Sequence, residues 1–178
     1  MPSAFTHAFA AISFGRFFSA KQLVKLFLLG AICAALPDID AIGFHMGIPY
    51  GSTFGHRGFT HSIFFSVVLA IIVMRVFYSK EKKAGPKAAL FFYFFLSTLS
   101  HPLLDMLTNG GLGVALFSPF SNQRYFFPFH PVRVSPISVG GFFTQRGLEV
   151  FKSEFYWIWL PSFVVLFFSM IFTKRKSS

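Results

Sequence analysis

The feature that decides the fold is the segment His56-Arg57-Gly58-Phe59-Thr60-His61-Ser62, which stands at the beginning of a long apolar run. Two histidines and an arginine are unusual there, because ionisable groups left unpaired in a low-dielectric setting are energetically costly. Every other histidine, and five of the six acidic residues, also lie near the ends of apolar segments. We therefore predict that these ends face one side of the protein and that their side chains jointly hold metal.

The composition is that of an integral membrane protein. The 178 residues are 54% hydrophobic and 20% aromatic, only 12% are charged, and the mean hydropathy is +0.61. A typical soluble chain is about one quarter charged, and 29 phenylalanines could not all be buried in a soluble protein of this size. The net charge of +10 does not indicate a nucleic-acid partner, since the cations stand in short clusters that flank apolar runs.

Five apolar segments predict an all-α, polytopic integral membrane protein with about five transmembrane helices, formed by one domain that covers residues 1–178. The segments are Phe5–Phe18, Leu23–Leu36, Phe59–Tyr78, Ala88–Leu107 and Phe155–Phe172. A spanning helix needs about 20 mostly apolar residues, which the last three segments provide. We interpret the first two as short or partly submerged spans. Residues 109–148, rich in Gly, Pro and aromatic residues, are expected to form a structured cap at the membrane interface.

The distribution of lysine and arginine predicts the orientation of the chain in the membrane. An up-and-down path places 11 of the 16 cations on one side, in the connections that follow the first, third and fifth segments. That side should be cytoplasmic, with the N-terminus outside and the C-terminus inside, in the cytoplasmic membrane of a prokaryote. On this map all six histidines, and every acid except Glu81, lie on the extracytoplasmic side.

Two pairs of residues carry the metal hypothesis. His101 and Asp105 lie four residues apart, so on a helix they share one face and can chelate a divalent ion. A His–Asp hydrogen bond that packs two helices would explain this pair alone equally well. Asp38 and Asp40, which follow Pro37, repel one another unless a cation or a shared proton lies between them. The alternative for these two is a capped, solvated turn.

The segment 56–62 adds further candidates. His56 and His61 do not share a helix face, so we place His56 on a glycine turn and His61 on the first helical turn. Arg57 could hold an anionic substrate group or could anchor lipid headgroups. Glu149 is a candidate ligand or catalytic base, although a solvated residue at a helix start would look the same. The candidate catalytic residues are Arg57, Glu149 and His56, and the candidate metal ligands are His7, Asp38, Asp40, His56, His61, His101 and Asp105.

A mixed set of histidines and carboxylates suits Zn, Mn or Fe in hydrolytic centres. The number of candidate ligands favours two divalent ions, with Zn as the first choice, over a single structural zinc. Paired ions of this kind activate water and stabilise charge on a phosphoryl or acyl oxygen. The motifs therefore predict hydrolytic chemistry at the outer surface of the membrane.

On these residues the sequence resembles the YdjM-like family of membrane-bound, metal-dependent hydrolases. The resemblance rests on His7, Pro37-Asp38-Ile39-Asp40, the segment 56–62 and Ser100-His101-Pro102-Leu103-Leu104-Asp105, with Arg146-Gly147-Leu148-Glu149 as a weaker match. A looser resemblance connects these motifs with zinc-dependent phospholipase C and related nucleases. It implies that Asp105 bridges two ions, with His7 on one ion and three residues on the other: His61, His101 and one of Asp38 and Asp40.

The two resemblances together imply hydrolysis of a phosphoester or other ester in a membrane lipid or lipid-linked substrate. Two competing hypotheses come from other classes: a divalent-metal transporter or sensor, and a non-enzymatic membrane factor that is stabilised by metal. Transport needs polar groups that continue through the bilayer. The predicted inner halves of the helices contain no histidine, and their connections contain only Glu81 as an acid, which argues against transport.

Overall fold

Helices account for the regular structure in residues 1–19, 21–135 and 139–175, which are the residues that the computed structural model describes. The α-helices are α1 (Ala4–Gly15), α2 (Leu23–Ala35), α3 (Ile63–Phe77), α4 (Ala84–Met106), α5 (Val139–Phe142), α6 (Gln145–Glu154) and α7 (Leu160–Arg175). Two 3-10 helices cover Leu36–Phe44 and Phe59–His61, and a π-helical turn, Phe155–Trp159, joins α6 to α7. The predicted all-α fold is confirmed.

Within the described residues, three continuous helical stretches are long and apolar enough to cross a membrane: Leu23–Phe44, Ala84–Met106 and Gln145–Phe172. The first is longer than its predicted segment, because a 3-10 helix continues α2 beyond Pro37. The third predicted segment is shorter than expected. Ser62 caps α3 by accepting a hydrogen bond from the Phe65 N–H at 3.0 Å, so the residues before it form a separate turn and α3 has 15 residues.

α4 is the central helix and contacts α1, α2 and α3. In the most apolar 18 residues of α4, half of the residues are buried. In the most apolar 18 residues of the C-terminal stretch, only 17% are buried. That stretch exposes apolar side chains along its length, among them Phe163, Phe167 and Phe168. Such a surface is stable against lipid and not against water, so the structure agrees with an integral membrane protein.

The half of the molecule that contains the beginning of α4 has an apolar core. Leu26 of α2, Val73 of α3 and Tyr93 of α4 belong to this core and are buried. Gly30 lies directly against the Tyr93 ring, and a Cβ atom at this position would collide with the tyrosine hydroxyl. Glycine is therefore what allows α2 to approach α4 closely here.

The predicted cap, residues 109–148, is ordered by contacts in its described part. Isolated bridges pair Thr108 with Val132 and Val114 with Tyr125. α6 begins at Gln145, within the predicted cap, so the last helical stretch begins well before the predicted segment. Residues 136–138 and the cation at position 176, which contributed to the predicted orientation, lie outside the described residues.

Candidate metal centre

The structure brings together side chains from four parts of the chain. His7 lies on the first turn of α1, Asp38 on the 3-10 helix after α2, and His61 at the end of the second 3-10 helix, while His101 and Asp105 lie in the last turns of α4. The His7 and His101 rings are stacked with centroids 3.7 Å apart, and the His61 ring is 4.7 Å from the His101 ring. The predicted convergence of these segment ends is therefore observed.

Four of these residues, Asp38, His61, His101 and Asp105, each place one possible ligand atom within 4.8 Å of the other three. We call them the ligand cluster. The Nε2 atoms of His61 and His101 are 3.1 Å apart, and they lie 3.6 and 3.3 Å from Asp38 Oδ1. Asp105 Oδ2 is 3.6 Å from the first nitrogen and 4.0 Å from the second. A tetrahedron with ligand distances of about 2.0–2.2 Å has edges of about 3.3–3.6 Å, so the cluster has the spacing of a metal site.

Hydrogen bonds on the far side of each imidazole decide which nitrogen faces the cluster. His101 Nδ1 lies 2.6 Å from the carbonyl oxygen of Ala34, which can only accept, so Nδ1 carries the proton. His61 Nδ1 lies 3.1 Å from Asp40 Oδ2 and carries its proton for the same reason. The two Nε2 lone pairs therefore face each other and the carboxylates. This convergence of acceptors requires a cation, either a metal ion or an additional proton.

The charges of the buried groups lead to the same requirement. Asp38, Asp40 and Asp105 bring three negative charges, and Arg57 brings one positive charge, so neutral histidines leave an excess of two negative charges. The three carboxylates are only 16%, 4% and 0% exposed. Because an uncompensated charge is costly to bury, the donor set and its charge both fit a divalent cation.

The contacts of Asp40 distinguish it from Asp38. Asp40 Oδ2 accepts a hydrogen bond from the Thr60 hydroxyl at 2.6 Å, and Oδ1 lies 2.7 Å from His56 Nδ1. Asp40, His56 and His61 also have atoms close enough to hold an ion, but both Asp40 oxygens already face protein donors. The geometry therefore favours Asp38 as the direct ligand and Asp40 as the group that orients His61, a choice that the sequence left open.

Arg57 is buried and its guanidinium is engaged on three sides. Nε lies 2.9 Å from Asp105 Oδ2, Nη1 donates to the Gly110 carbonyl at 2.8 Å, and Nη2 donates to the Thr108 hydroxyl at 3.0 Å. The backbone of Arg57 has φ +61°, a left-handed conformation that is uncommon for a residue other than glycine, and its N–H donates to Asp40 at 3.1 Å. This placement favours a positioning role for Arg57 over the predicted contact with substrate.

His7 lies on the other side of Asp105. Its Nε2 atom is 3.5 Å from Asp105 Oδ1, and neither ring nitrogen has a hydrogen-bond partner among the described residues. Asp105 therefore directs Oδ2 toward the ligand cluster and Oδ1 toward His7. In the described part of the chain, two possible metal-ligand atoms lie on this side, His7 Nε2 and Asp105 Oδ1, whereas the ligand cluster has four.

Of the two glutamates near the last helix, the structure gives the buried position to Glu154. Glu149, the predicted ligand or base, forms an exposed ion pair with Arg133 at 2.9 Å and belongs to neither group of possible ligands in the described residues. Glu154 accepts hydrogen bonds from the Ser3 N–H at 2.6 Å, the Ser3 hydroxyl at 2.7 Å and the Thr6 hydroxyl at 2.6 Å. It anchors the turn that carries the His7 ring. The sequence feature that could have identified Glu154 is an acid directly beside an apolar run, as Asp105 also is.

Arg124 attaches the cap to the segment that carries His56. Its guanidinium donates to the carbonyl oxygens of Tyr50 at 2.9 Å, His56 at 3.1 Å and Gly113 at 3.2 Å. Burial lowers the pKa of Arg124 and raises the pKa of the Tyr50 hydroxyl. Arg124 is one of the five cations that the up-and-down path places on the outer side, and the sequence does not predict this role because bonds to carbonyl oxygens leave no sequence signal.

Comparison with known proteins identifies the family. The sequence model of the YdjM inner membrane protein family matches residues 1–177. The chain belongs to this family. Inner membrane protein YbcI of Escherichia coli (strain K12) is 36% identical over 177 residues, which cover 99% of this chain and 100% of that protein. No solved structure matches the chain.

Membership of the YdjM family confirms the predicted resemblance and the integral inner-membrane location, while the orientation stays a prediction.

The candidate metal centre has one partly exposed edge. Within the ligand cluster Asp38 is 16% exposed, and the other three side chains are 0% exposed. The same 3-10 helix exposes Ile39 to 53%, Ile42 to 56% and Phe44 to 39%. The accessible edge of the cluster therefore belongs to a segment with a lipid-compatible surface.

Proposed function

We propose that this YdjM-family protein is a membrane-embedded, metal-dependent hydrolase that cleaves a phosphoester or other ester of a lipid or lipid-linked substrate. The observation that carries the proposal is the ligand cluster, in which four acceptor atoms lie within 4.8 Å of one another and have an excess of negative charge. A divalent ion held there, with Zn preferred over Mn or Fe, would activate water and neutralise charge on the substrate oxygen.

The surrounding residues hold the cluster in place. Asp40 orients His61 through Nδ1, the Ala34 carbonyl orients His101, and Arg57 holds the Asp105 carboxylate. Outer partners of this kind keep each ligand atom aimed at one position and commonly change metal affinity by about 10- to 100-fold when removed. They also make the ligand geometry independent of the substrate.

His56 is the residue that we propose to move protons. Its Nδ1 lies 2.7 Å from Asp40 Oδ1, and its Nε2 has no hydrogen-bond partner among the described residues. A carboxylate on one side of an imidazole fixes the orientation of the ring and leaves the other nitrogen available for proton transfer. His56 is also slightly exposed, at 7%, whereas the cluster histidines are at 0%.

We also propose a second ion, on the side of Asp105 that faces His7. Asp105 would bridge the two ions, since its Oδ1 faces His7 and its Oδ2 faces the ligand cluster. Two buried donor atoms are fewer than a metal site needs, so water or substrate oxygens would complete this position. The second ion would accordingly bind more weakly than the first.

Lipid is the proposed substrate class because the accessible edge of the site is apolar outside the ligand atoms. Ile39 and Ile42, which follow the exposed ligand Asp38 on its 3-10 helix, are more than half exposed. A water-soluble ester would gain nothing from such a surface, whereas the chains of a lipid or lipid-linked ester would bury it. We expect this edge to face the extracytoplasmic leaflet, as the cation distribution predicts.

The first test measures metal in purified protein by elemental analysis. We expect His101→Ala and Asp105→Asn to lower the bound divalent metal by about tenfold or more, since each removes or weakens a direct ligand. His130→Ala and Glu149→Gln are the matched controls, because neither residue belongs to the ligand cluster, and they should keep full occupancy. Full occupancy in both cluster variants would refute the ligand assignment.

The second test measures hydrolysis in detergent micelles with a panel of phospholipids and lipid-linked esters. Wild-type protein should release product, lose the activity on chelation and regain it when metal is restored. His56→Gln should retain metal but lower kcat and alter the pH profile. A protein that is stable and metal-loaded but cleaves nothing in the panel would favour the non-enzymatic hypothesis, and metal flux in proteoliposomes would favour the transporter.

A further inference from the structure

The end of the helix bundle opposite the ligand cluster contains a cavity of about 600 Å³ between the end of α3 and the beginning of α4. We call it the α3–α4 cavity. It is lined by Ile71, Met74 and Arg75 of α3 and by Lys87, Phe91 and Phe92 of α4, among others. The volume is within the range of small-ligand sites, and no residue of the proposed hydrolytic centre contributes to it.

The charges in the α3–α4 cavity are positive. Arg75 and Lys87 line it, and neither has an ion-pair partner in the described part of the chain. The only acid in the connection between the two helices is Glu81, whose Oε1 accepts a hydrogen bond from the Lys83 N–H at 3.1 Å. Two cations with no acidic partner, beside an apolar wall, favour an anionic ligand.

Hydrogen-bond donors are also available at this position. α4 begins at Ala84, which lines the cavity, and no side chain caps this helix of 23 residues. Ala84 and Gly85 supply the N–H groups of its first turn, since Pro86 has none, and these two groups add to the positive field. Phosphate oxygens are acceptors that would satisfy these donors.

The other wall of the cavity is apolar and continuous with the membrane-facing surface. Ile71 and Phe92 are 41% and 52% exposed, and Met74 and Phe91 lie deeper. A free phosphate ion would leave this wall unused, whereas a lipid would place an acyl chain along it. Basic pockets between transmembrane helices commonly bind the headgroups of acidic lipids.

From these contacts we propose that the α3–α4 cavity binds an anionic membrane phospholipid, with the phosphate between Arg75 and Lys87 and an acyl chain along Ile71 and Phe92. The site is separate from the ligand cluster, so the lipid is a bound structural ligand and not the substrate. It joins the end of α3 to the beginning of α4.

Native mass spectrometry of purified, delipidated protein tests this proposal with phosphatidylglycerol, phosphatidylcholine and soluble glycerol phosphate as probes. Wild-type protein should bind one phosphatidylglycerol in preference to phosphatidylcholine. The double variant Arg75→Gln/Lys87→Gln should weaken that binding by about tenfold or more, since two phosphate contacts are removed.

The matched control is Lys82→Gln/Lys83→Gln, which removes the same charge from the adjacent connection between α3 and α4, from residues that do not line the cavity. It should leave the binding within about twofold of wild type. An equal loss in this control would overturn the proposal in favour of diffuse surface attraction. Ala88→Phe, which fills the cavity without changing charge, should abolish the preference, and unchanged binding would also overturn it. Competition by glycerol phosphate at equal concentration would identify a free phosphate site.

Discussion

The two ends of the helix bundle contain buried polar atoms of different kinds. At the end with the ligand cluster, atoms without a hydrogen-bond partner include Asp38 Oδ1 and Asp105 Oδ1. In the opposite half they include the hydroxyls of Tyr78 and Tyr93. An unpaired phenol costs little beyond one lost hydrogen bond, but unpaired carboxylate oxygens carry charge. Only the first end therefore requires a cation in order to be stable.

The two ends are also stabilised differently. The ligand cluster is held by directional contacts to groups such as Arg57 and Asp40, whereas the opposite half is held by the shapes of packed side chains such as Tyr93 against Gly30. Substitutions that break directional contacts should change both stability and metal binding. Substitutions that disturb packing should change stability alone.

The largest effect is expected for Arg57→Gln. The substitution leaves the Asp105 carboxylate buried without its cation, so the free energy of unfolding of metal-free protein should fall by about 3–5 kcal/mol. Unfolding in mixed detergent micelles measures it, and added metal should restore part of the loss. The control Arg133→Gln breaks an exposed ion pair and should cost at most about 1 kcal/mol. Equal losses in the two variants would contradict the proposed role of Arg57.

The next effect is expected for Gly30→Val, in the packed half. The new side chain collides with the Tyr93 ring, so the free energy of unfolding should fall by about 2–3 kcal/mol. Metal content per folded molecule should stay at the wild-type level. Gly85→Val is the matched control, because nothing lies within 4 Å of a Cβ atom there. A loss of metal in the folded fraction of Gly30→Val would show that the two ends are not independent.

A somewhat smaller effect is expected for Asp40→Asn, which keeps the shape of the side chain and removes its charge. The substitution weakens the orientation of His61 without removing a direct ligand. Divalent metal affinity, measured by competition with a chelator, should fall by about 10- to 100-fold, or about 1.4–2.7 kcal/mol. Glu149→Gln should leave the affinity unchanged. A complete loss of metal would instead make Asp40 a direct ligand.

The smallest effect is expected for Lys25→Gln in the packed half. Lys25 Nζ donates to the Phe77 carbonyl at 2.7 Å and lies 4.5 Å from the Tyr78 ring centroid, so it stabilises the end of α3. The site is exposed, and the loss should be about 0.5–1 kcal/mol in the free energy of unfolding. Lys21→Gln is the control and should change it less. No difference between the two variants would mean that the contact contributes nothing.

The sequence alone was sufficient for the membrane class and the helical fold, and it predicted the histidines and aspartates that converge in the candidate metal centre. Apolar segments report the solvent of the outer surface, and the His-x-x-x-Asp spacing of His101 and Asp105 is a local property of any helix. The convergence of His7 and His61 on these residues was also predictable, because ionisable groups at the ends of apolar segments need one another as partners.

Only the tertiary structure distinguished Asp38 from Asp40, assigned Arg57 to Asp105, and gave the buried position to Glu154 and not to Glu149. Each of these choices depends on which atom faces which partner across distances of 2.6–3.6 Å. Residue identity specifies what a side chain can donate or accept, but the partner it meets is decided by the packing of helices that are far apart in sequence. Position in the chain therefore indicated which residues belong to the centre, and packing decided the role of each one.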